Sequence, residues 1–219
     1  MMVTWQDIVN DEAVKTYIKK ADESLIALGY TEHSFTHVGR VAQVAGEILT
    51  TLGYPDRVVE LAKIAGYLHD IGNVVNRVDH AQSGALMAFR ILDRMGMDPE
   101  EISTVITAIG NHDESTAFPV NAVAAALILA DKTDVRSSRV RNHDFSTFDI
   151  HDRVNYSAKE SHVTVEKDAY IELNLTIDTS VCAVMDYFEI FIERMVLCRK
   201  AAEKLSLKFR LVINGQTIL

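Results

Sequence analysis

The sequence has few of the residues that cross-link a chain or break it into loops. It contains two cysteines, Cys182 and Cys198, and three prolines in 219 residues. Both cysteines fall in a segment predicted to be one helix, where their spacing corresponds to roughly 24 Å at about 1.5 Å per residue. A disulfide does not span that distance. We therefore expect two free core thiols and a reducing compartment.

Long apolar runs are also missing. No segment approaches the roughly 20 residues that a membrane-spanning helix needs. Residues 1–7 have neither the basic start nor the apolar core of a signal peptide. These absences predict a cytoplasmic protein with no membrane partner.

Positive charge is scarce. The 22 basic residues are outnumbered by 31 acidic ones, which gives a formal net charge of −9. Proteins that neutralise a nucleic-acid backbone carry a basic stripe, so this composition argues against duplex nucleic acid as a partner. An anionic substrate would require local cations or metal ions.

Apolar residues are plentiful, at 48% of the chain, and can form a substantial core. Through about residue 138 they recur with helical spacing. Helix ends are marked by Gly53, by Asp56 as an N-cap and by Pro99 at a first helical position. Another helix is predicted over about 81–95. The segment 121–134 is almost wholly apolar, which predicts a central buried helix.

The pattern changes after residue 138. Segments 161–166 and 170–177 alternate with period two, as the strands of a hairpin do. A long helix is predicted over about 179–205, and 208–213 is predicted to form a third strand.

These patterns predict a mainly α fold in two parts. Residues 1–138 form a helical bundle, and residues 139–219 form a small α+β layer packed on it, with a hairpin, a long helix and a final strand. The stretch 137–158 is a loop-rich join. The long helix is apolar over a wide arc that would suit the core or a homodimer interface, and we favour the core.

The pair His69–Asp70, at the end of an apolar run, is the strongest candidate for chemistry. Adjacent imidazole and carboxylate groups at the edge of a buried segment can hold a divalent ion when other segments add ligands. A carboxylate left alone there would cost roughly several kcal/mol. The candidate partners elsewhere in the chain are His37, His80, His112 and Asp131.

Three short stretches around these residues, 37–41, 68–72 and 129–134, resemble the HD superfamily of metal-dependent phosphohydrolases. The pattern of that superfamily is a single His, then a His-Asp pair, then a distant Asp on a late helix. The resemblance covers about residues 30–140. It implies an HD-domain helical bundle in which one metal is held by His37, His69, Asp70 and Asp131.

Superfamily members with two metals add histidines between the His-Asp pair and the last Asp. They include diadenosine tetraphosphate hydrolases and cyclic-dinucleotide phosphodiesterases. His80 and His112 occupy those places, so the resemblance implies a second metal. Asn73 departs from the Lys that both relatives usually carry, and Asp113 follows His112 where the phosphodiesterases carry His. The Gly-Tyr-Pro signature of the phosphodiesterases is absent.

The implied reaction is hydrolysis of a phosphoester or phosphoanhydride of a nucleotide or a similar small phosphate compound. One or two divalent transition-metal ions (Mn, Fe, Co, Ni or Zn) would activate water and neutralise phosphoryl charge. Asp70 would ligate metal and orient the water, while Arg40 and Lys132 would contact phosphate. Two alternative functions remain. One is a di-iron oxygenase of the same helical fold, and the other is a regulatory or binding module with a structural metal site.

The remaining histidines have plainer interpretations. His33, four residues before His37, is expected to be solvated or to support the ligands from the same helical face. Residues 151–153 are polar enough to line the mouth of a pocket. The histidines of the join and hairpin are expected to be ordinary polar groups: His143, His151 and His162.

A local basic run stands out in this acidic chain. It consists of Arg136, Arg139 and Arg141. These arginines have two interpretations of equal weight. They contact phosphate, or they pair with nearby carboxylates at a solvated helix end.

Overall fold

The computed structural model describes residues 2–114, 116–142 and 144–219. As predicted, the fold is mainly α, and the described residues form nine α-helices and a four-stranded sheet. The helices are α1 (Trp5–Asn10), α2 (Glu12–Ala27), α3 (Phe35–Leu52), α4 (Asp56–Leu68), α5 (His80–Arg94), α6 (Pro99–Gly110), α7 (Ala122–Lys132), α8 (Ile150–Ser157) and α9 (Val184–Lys204). The strands are β1 (Ala158–Glu166), β2 (Tyr170–Ile177), β3 (Lys208–Ile213) and β4 (Gln216–Thr217). Short 3₁₀ turns cover Ile71–Val74, Ser137–Arg139 and Phe145–Thr147.

Helix α7 lies at the centre of the bundle because almost all of its side chains are apolar. Residues 123–130 are at most 2% exposed, and α3, α4, α6 and α9 pack around them. Each fully buried Leu or Ile in such a setting contributes about 1.5–3 kcal/mol. The prediction of a central buried helix is confirmed.

The predicted helix ends are confirmed with one correction. Gly53 ends α3 with a left-handed φ of 81°, and Pro99 follows the N-cap Asp98. The prediction of Asp56 as an N-cap is wrong, because Pro55 occupies that position and Asp56 is the first helical residue. The ring of Pro55 fixes its φ at −57°, and the Asp56 carboxylate lies in the first turn, where the helix dipole favours negative charge.

The C-terminal layer contains the predicted hairpin of β1 and β2, long helix and third strand. Strand β3 pairs parallel with β2 and antiparallel with β4. The long helix begins at Val184, later than predicted, because Ser180 donates to the Asp178 carboxylate in a turn. Cys182 therefore lies before the helix, and the argument from helical spacing is wrong. Both cysteines are nevertheless free and buried.

Helix α9 packs against α7 and the sheet. Tyr187, Phe191 and Met195 are buried in the core, whereas Met185 and Ile192 are exposed. The apolar core runs without a break from the bundle into the C-terminal layer. The division at residue 138 and the homodimer stay predictions. None of the described helices is long and apolar enough to cross a membrane.

Two glycines permit close approaches between helices. A Cβ on Gly66 would lie 2.7 Å from Ala42 Cα, so the absence of a side chain lets α4 pack against α3. A Cβ on Gly72 would lie 2.0 Å from His80 O and 2.4 Å from Gly84 N. The turn at Ile71–Val74 therefore abuts the first turns of α5.

Gly72→Ala is expected to lower the free energy of unfolding by about 1–3 kcal/mol or more, because backbone atoms must shift to admit the methyl group. Denaturant unfolding followed by circular dichroism measures the change. The matched control is Gly39→Ala in α3, where a Cβ meets open space and a gain of about 0.5–1 kcal/mol is expected. Equal stability of the two variants would contradict this account of the turn.

Candidate metal centre

The six residues predicted as metal ligands lie together where several helix ends converge. One lies near the start of α3, two directly follow α4, one begins α5, one follows α6 and one lies in the last turn of α7. Five are at most 5% exposed, and the Asp131 side chain is 11% exposed. In chain order these residues are His37, His69, Asp70, His80, His112 and Asp131.

Four of the residues form a ring of closely spaced donor atoms. His37 Nε2 lies 3.5 Å from Asp70 Oδ2 and 3.3 Å from Asp131 Oδ1. His69 Nε2 lies 3.3 Å and 3.7 Å from the same two oxygens. Atoms about 2.1 Å from one shared tetrahedral or octahedral ion would lie about 3.0–3.5 Å apart. The spacing therefore suits a single ion.

The other carboxylate oxygen of Asp70 faces a second group. His80 Nε2 lies 3.6 Å from Asp70 Oδ1 and 3.2 Å from His112 Nε2. Asn73 Nδ2 also donates to Asp70 Oδ1, at 2.9 Å. Asp70 thus stands between two groups of ligands and offers one oxygen to each.

The four imidazole rings are oriented in the same way. In each ring Nδ1 forms a hydrogen bond to an oxygen, so that Nε2 faces the centre. Such bonds fix the tautomer and orientation of a metal-binding histidine. The oxygens are Asp134 Oδ2 for His37 (2.8 Å), Gly66 O for His69 (2.8 Å), Arg77 O for His80 (3.0 Å) and Ile109 O for His112 (2.6 Å).

Three inward donor atoms are buried without a hydrogen-bond partner among the described residues. They are His37 Nε2, His69 Nε2 and Asp70 Oδ2. A buried polar atom left unsatisfied costs about 1–3 kcal/mol, and three in contact indicate that the centre is built for an additional group. Imidazoles and carboxylates together suit divalent transition metals. The donor set therefore fits such an ion.

The electrostatics of the centre favour positive charge. Burial lowers the pKa of His69, but the carboxylates of Asp70 and Asp131 outweigh it and raise that pKa to about 10. Burial raises the pKa of both carboxyl groups, yet the neighbouring His69 and Lys132 hold them well below their usual range. Burial, aided by His69, lowers the pKa of His112 to about 3. A neutral imidazole of this kind can ligate a metal without first losing a proton.

The structure does not bring Arg40 to the other predicted site residues. Its Nε lies 3.1 Å from Asp134 Oδ1, and its Nη2 donates to Ser161 O at 3.2 Å. Asp134 lies beyond the Nδ1 of His37 and holds the guanidinium there. Lys132, in contrast, lies at the centre, 2.7 Å from Asp131 Oδ2 and 3.0 Å from Glu114 Oε2.

A cavity of about 300 Å³ is lined by four of the six candidate ligands, Asp70, His80, His112 and Asp131. Its wall includes two cations that the sequence analysis missed, Arg77 and Arg194, and the aromatic residues Tyr30 and Phe191. Arg77 could have been found, because it lies three residues before His80. Arg194 lies in α9 with no motif around it.

The remaining histidines differ in their positions relative to the centre and in their exposure. His33 precedes helix α3, so it does not share a helical face with His37, but the two ring centroids are 5.5 Å apart. His151 lines the cavity with Asp152, as the polarity of that cluster predicted. His162 is exposed on β1. His143 lies outside the described residues.

The basic run pairs largely with carboxylates. Arg136 contacts Asp134 and Glu32, and Arg141 contacts Asp22. Arg139 is buried and lines the cavity. It donates to the carbonyls of residues 32 and 134.

Asp134→Asn is expected to weaken divalent-metal binding about 10- to 100-fold, because the amide supports the His37 ring less well than a carboxylate does. Titration of metal-free protein with Mn²⁺ measures the affinity. Asp93→Asn, on the exposed side of α5, is the control and should bind as the wild type does. An unchanged affinity in Asp134→Asn would show that the contact does not support the centre.

Comparison with known proteins identifies the same region. Residues 34–136 match the HD domain family. The chain is 27% identical over 160 residues to the uncharacterized protein MJ1020 of Methanocaldococcus jannaschii, covering 63% of this chain and 61% of that protein. It is 31% and 32% identical over 121 residues to Ribonuclease Y of Enterococcus faecalis and of Latilactobacillus sakei, covering 52% of this chain and 21% of each ribonuclease.

Among solved structures, a predicted HD superfamily hydrolase from an uncultured Thermotogales bacterium has 27% identity and a TM-score of 0.45. The alignment covers 57% of this chain and 67% of that chain. The present chain thus spans less than two thirds of the archaeal protein and about a fifth of each ribonuclease. The family match contains all six clustered residues. The chain therefore contains an HD domain at residues 34–136, and the resemblance found in its sequence is confirmed.

Proposed function

We propose that this chain is a metal-dependent phosphohydrolase that cleaves a phosphoester or phosphoanhydride of a small phosphate compound such as a nucleotide. The observation that carries the proposal is the set of buried, unpartnered donor atoms on His37, His69 and Asp70 within an HD domain. An open cavity is lined by Asp70, His80, His112 and Asp131, which would give a substrate access to the centre.

One ion would be held by His37, His69, Asp70 and Asp131, whose donor atoms lie 3.3–3.7 Å apart across the ring. A second would be held by Asp70, His80 and His112. When bound, such ions lower the pKa of a coordinated water toward about 7 and neutralise charge on phosphoryl oxygens.

The chain's own residues orient the reaction. Asn73 Nδ2 donates to the side-chain Oδ1 and to the backbone carbonyl of Asp70, both at 2.9 Å. Asp70, held in this way, would orient the attacking water. Lys132 is fixed between Asp131 and Glu114, so its charge adds to the field at the phosphoryl group. We assign Arg40 to the support of Asp134 and His37 in place of a phosphate contact.

The cavity wall favours a phosphohydrolase over the two alternatives. It carries the cations Arg77, Lys132, Arg139 and Arg194. These cations suit an anionic substrate, whereas a di-iron enzyme that oxidises a neutral molecule would not need them. A purely structural metal site is normally closed by protein ligands. Here a cavity reaches the ligands, which favours an enzyme over a regulatory module.

The relatives bear only on the class of bond. Two of them are named as ribonucleases, and a ribonuclease cleaves phosphodiesters in RNA. This chain matches about a fifth of each ribonuclease. Its net charge of −9 differs from the positive charge typical of proteins that bind a nucleic-acid backbone. From these relatives we therefore propose only that this chain cleaves a phosphate ester. We do not propose RNA as its substrate.

His69→Ala and Asp70→Ala are each expected to abolish both bound metal and phosphate-ester hydrolysis, because each removes a donor from the centre. Elemental analysis of purified protein and a panel of nucleotides and small phosphate esters measure the two properties. His162→Ala, on the exposed face of β1, should retain both. Hydrolysis that survives in the His69 and Asp70 variants would place the activity elsewhere.

A further inference from the structure

The four cations of the cavity wall differ in how their charges are balanced. Lys132 is paired with Asp131 and Glu114. Arg194 Nε lies 2.6 Å from Glu114 Oε1, and buried Arg139 lies 3.7 Å from Asp134 Oδ2. For the fourth, Arg77, the ion pairs among the described residues include no carboxylate within 4.0 Å. Its charge is the one left to meet an anion from solution.

Arg77 is held in place without a carboxylate. Its guanidinium lies over the ring of Tyr30, with Cζ 5.4 Å from the ring centroid, and such stacking fixes an arginine while leaving its N–H groups available. Its Nη1 donates to Asn73 Oδ1 at 3.4 Å and lies 3.3 Å from His80 Nε2. That nitrogen has a single lone pair, which cannot serve an N–H group and a metal ion at once. Metal binding at His80 would therefore release the Arg77 N–H to another acceptor.

The outer part of the cavity has the opposite charge. Helix α8 and its N-cap contribute Asp149, His151, Asp152 and Asn155 to the wall. Asp149 and His151 are exposed, whereas Asp70, His80 and His112 at the inner end of the cavity are buried. The inner end of the cavity is thus lined by candidate metal ligands and Arg77. Its outer end, the mouth, is lined by the carboxylates of Asp149 and Asp152. Carboxylates accept hydrogen bonds from hydroxyl or amino groups and repel additional phosphates.

We propose that Arg77 binds the phosphoryl oxygens of the substrate, and that this substrate is a phosphomonoester of a hydroxyl-bearing compound in preference to a di- or triphosphate. This inference rests on the proposed function. One arginine that lies beside the candidate ligands, with no described carboxylate within 4.0 Å, suits a single phosphoryl group. The carboxylates at the mouth suit the hydroxyl groups of the alcohol part.

The reaction adds water across one bond. The water oxygen forms a bond to phosphorus while the bond between phosphorus and the ester oxygen breaks. One water proton passes to that ester oxygen, so the products are the free alcohol and inorganic phosphate. No oxidant, reductant or other co-reactant is required.

The first test measures binding of inorganic phosphate to the Mn²⁺-loaded protein by calorimetry. Arg77→Gln should weaken phosphate binding about 10- to 100-fold, since a charge-assisted contact is lost, with the Mn²⁺ content unchanged. Arg77→Lys should restore part of the affinity. The control Arg90→Gln changes an exposed arginine of α5 and should bind as the wild type does. Wild-type affinity in Arg77→Gln would overturn the assignment of Arg77.

The second test compares kcat/KM for adenosine monophosphate and glucose 6-phosphate with that for adenosine triphosphate. The wild type should prefer the monoesters at least tenfold, and Asp152→Asn should reduce that preference by removing a charge from the mouth. Preference for the triphosphate would overturn the substrate class while leaving the proposed phosphohydrolase intact. Cleavage of none of the three by Mn²⁺-loaded protein would contradict both.

Discussion

The buried carboxylate of Asp70 is the group on which the organisation of this centre depends. Its Oδ2 lies within 3.5 Å of the Nε2 atoms of His37 and His69, and its Oδ1 lies 3.6 Å from that of His80. A carboxylate this deeply buried is costly unless cations or hydrogen-bond donors surround it. The fold supplies these from several helix ends, and the two-sided arrangement makes a shared position between two ions the natural use of this residue.

The rest of the fold positions those helix ends. The apolar α7 gives the bundle a fixed centre and brings Asp131 to the site in its last turn. Gly66 lets α4 approach α3, and Gly72 lets the turn after Asp70 abut α5. Outside the HD domain, α9 adds Phe191 and Arg194 to the cavity wall. The bundle thus provides the residues that could hold metal, and the C-terminal layer provides part of the cavity wall.

Much of this could be predicted from the sequence, because the signals were local. The His69–Asp70 pair at the end of an apolar run predicted a buried polar centre, and the apolar segment before Asp131 predicted its central helix. Arg40 shows the limit of such reasoning. Its place one turn after His37 suggested a phosphate contact, but the neighbouring Asp134 holds its guanidinium. That pairing joins residues far apart in the chain, which no local pattern reveals.

Arg77 could be suspected from its place three residues before His80, but its difference from the other cations could not be predicted. No described carboxylate lies within 4.0 Å of its guanidinium, which stacks on Tyr30. Both features are properties of the folded chain. The short helices α1 and α8 were missed because each spans at most eight residues, too few for a clear period. The Thr4–Asp7 capping box was nevertheless visible in the sequence.

The most direct test of the central claim is an anomalous difference map from crystals of this protein grown with Mn²⁺. The account predicts a peak about 2.0–2.3 Å from His37 Nε2, His69 Nε2 and Asp70 Oδ2. A map with no peak among these atoms, at a Mn²⁺ concentration that fills other sites, would contradict it.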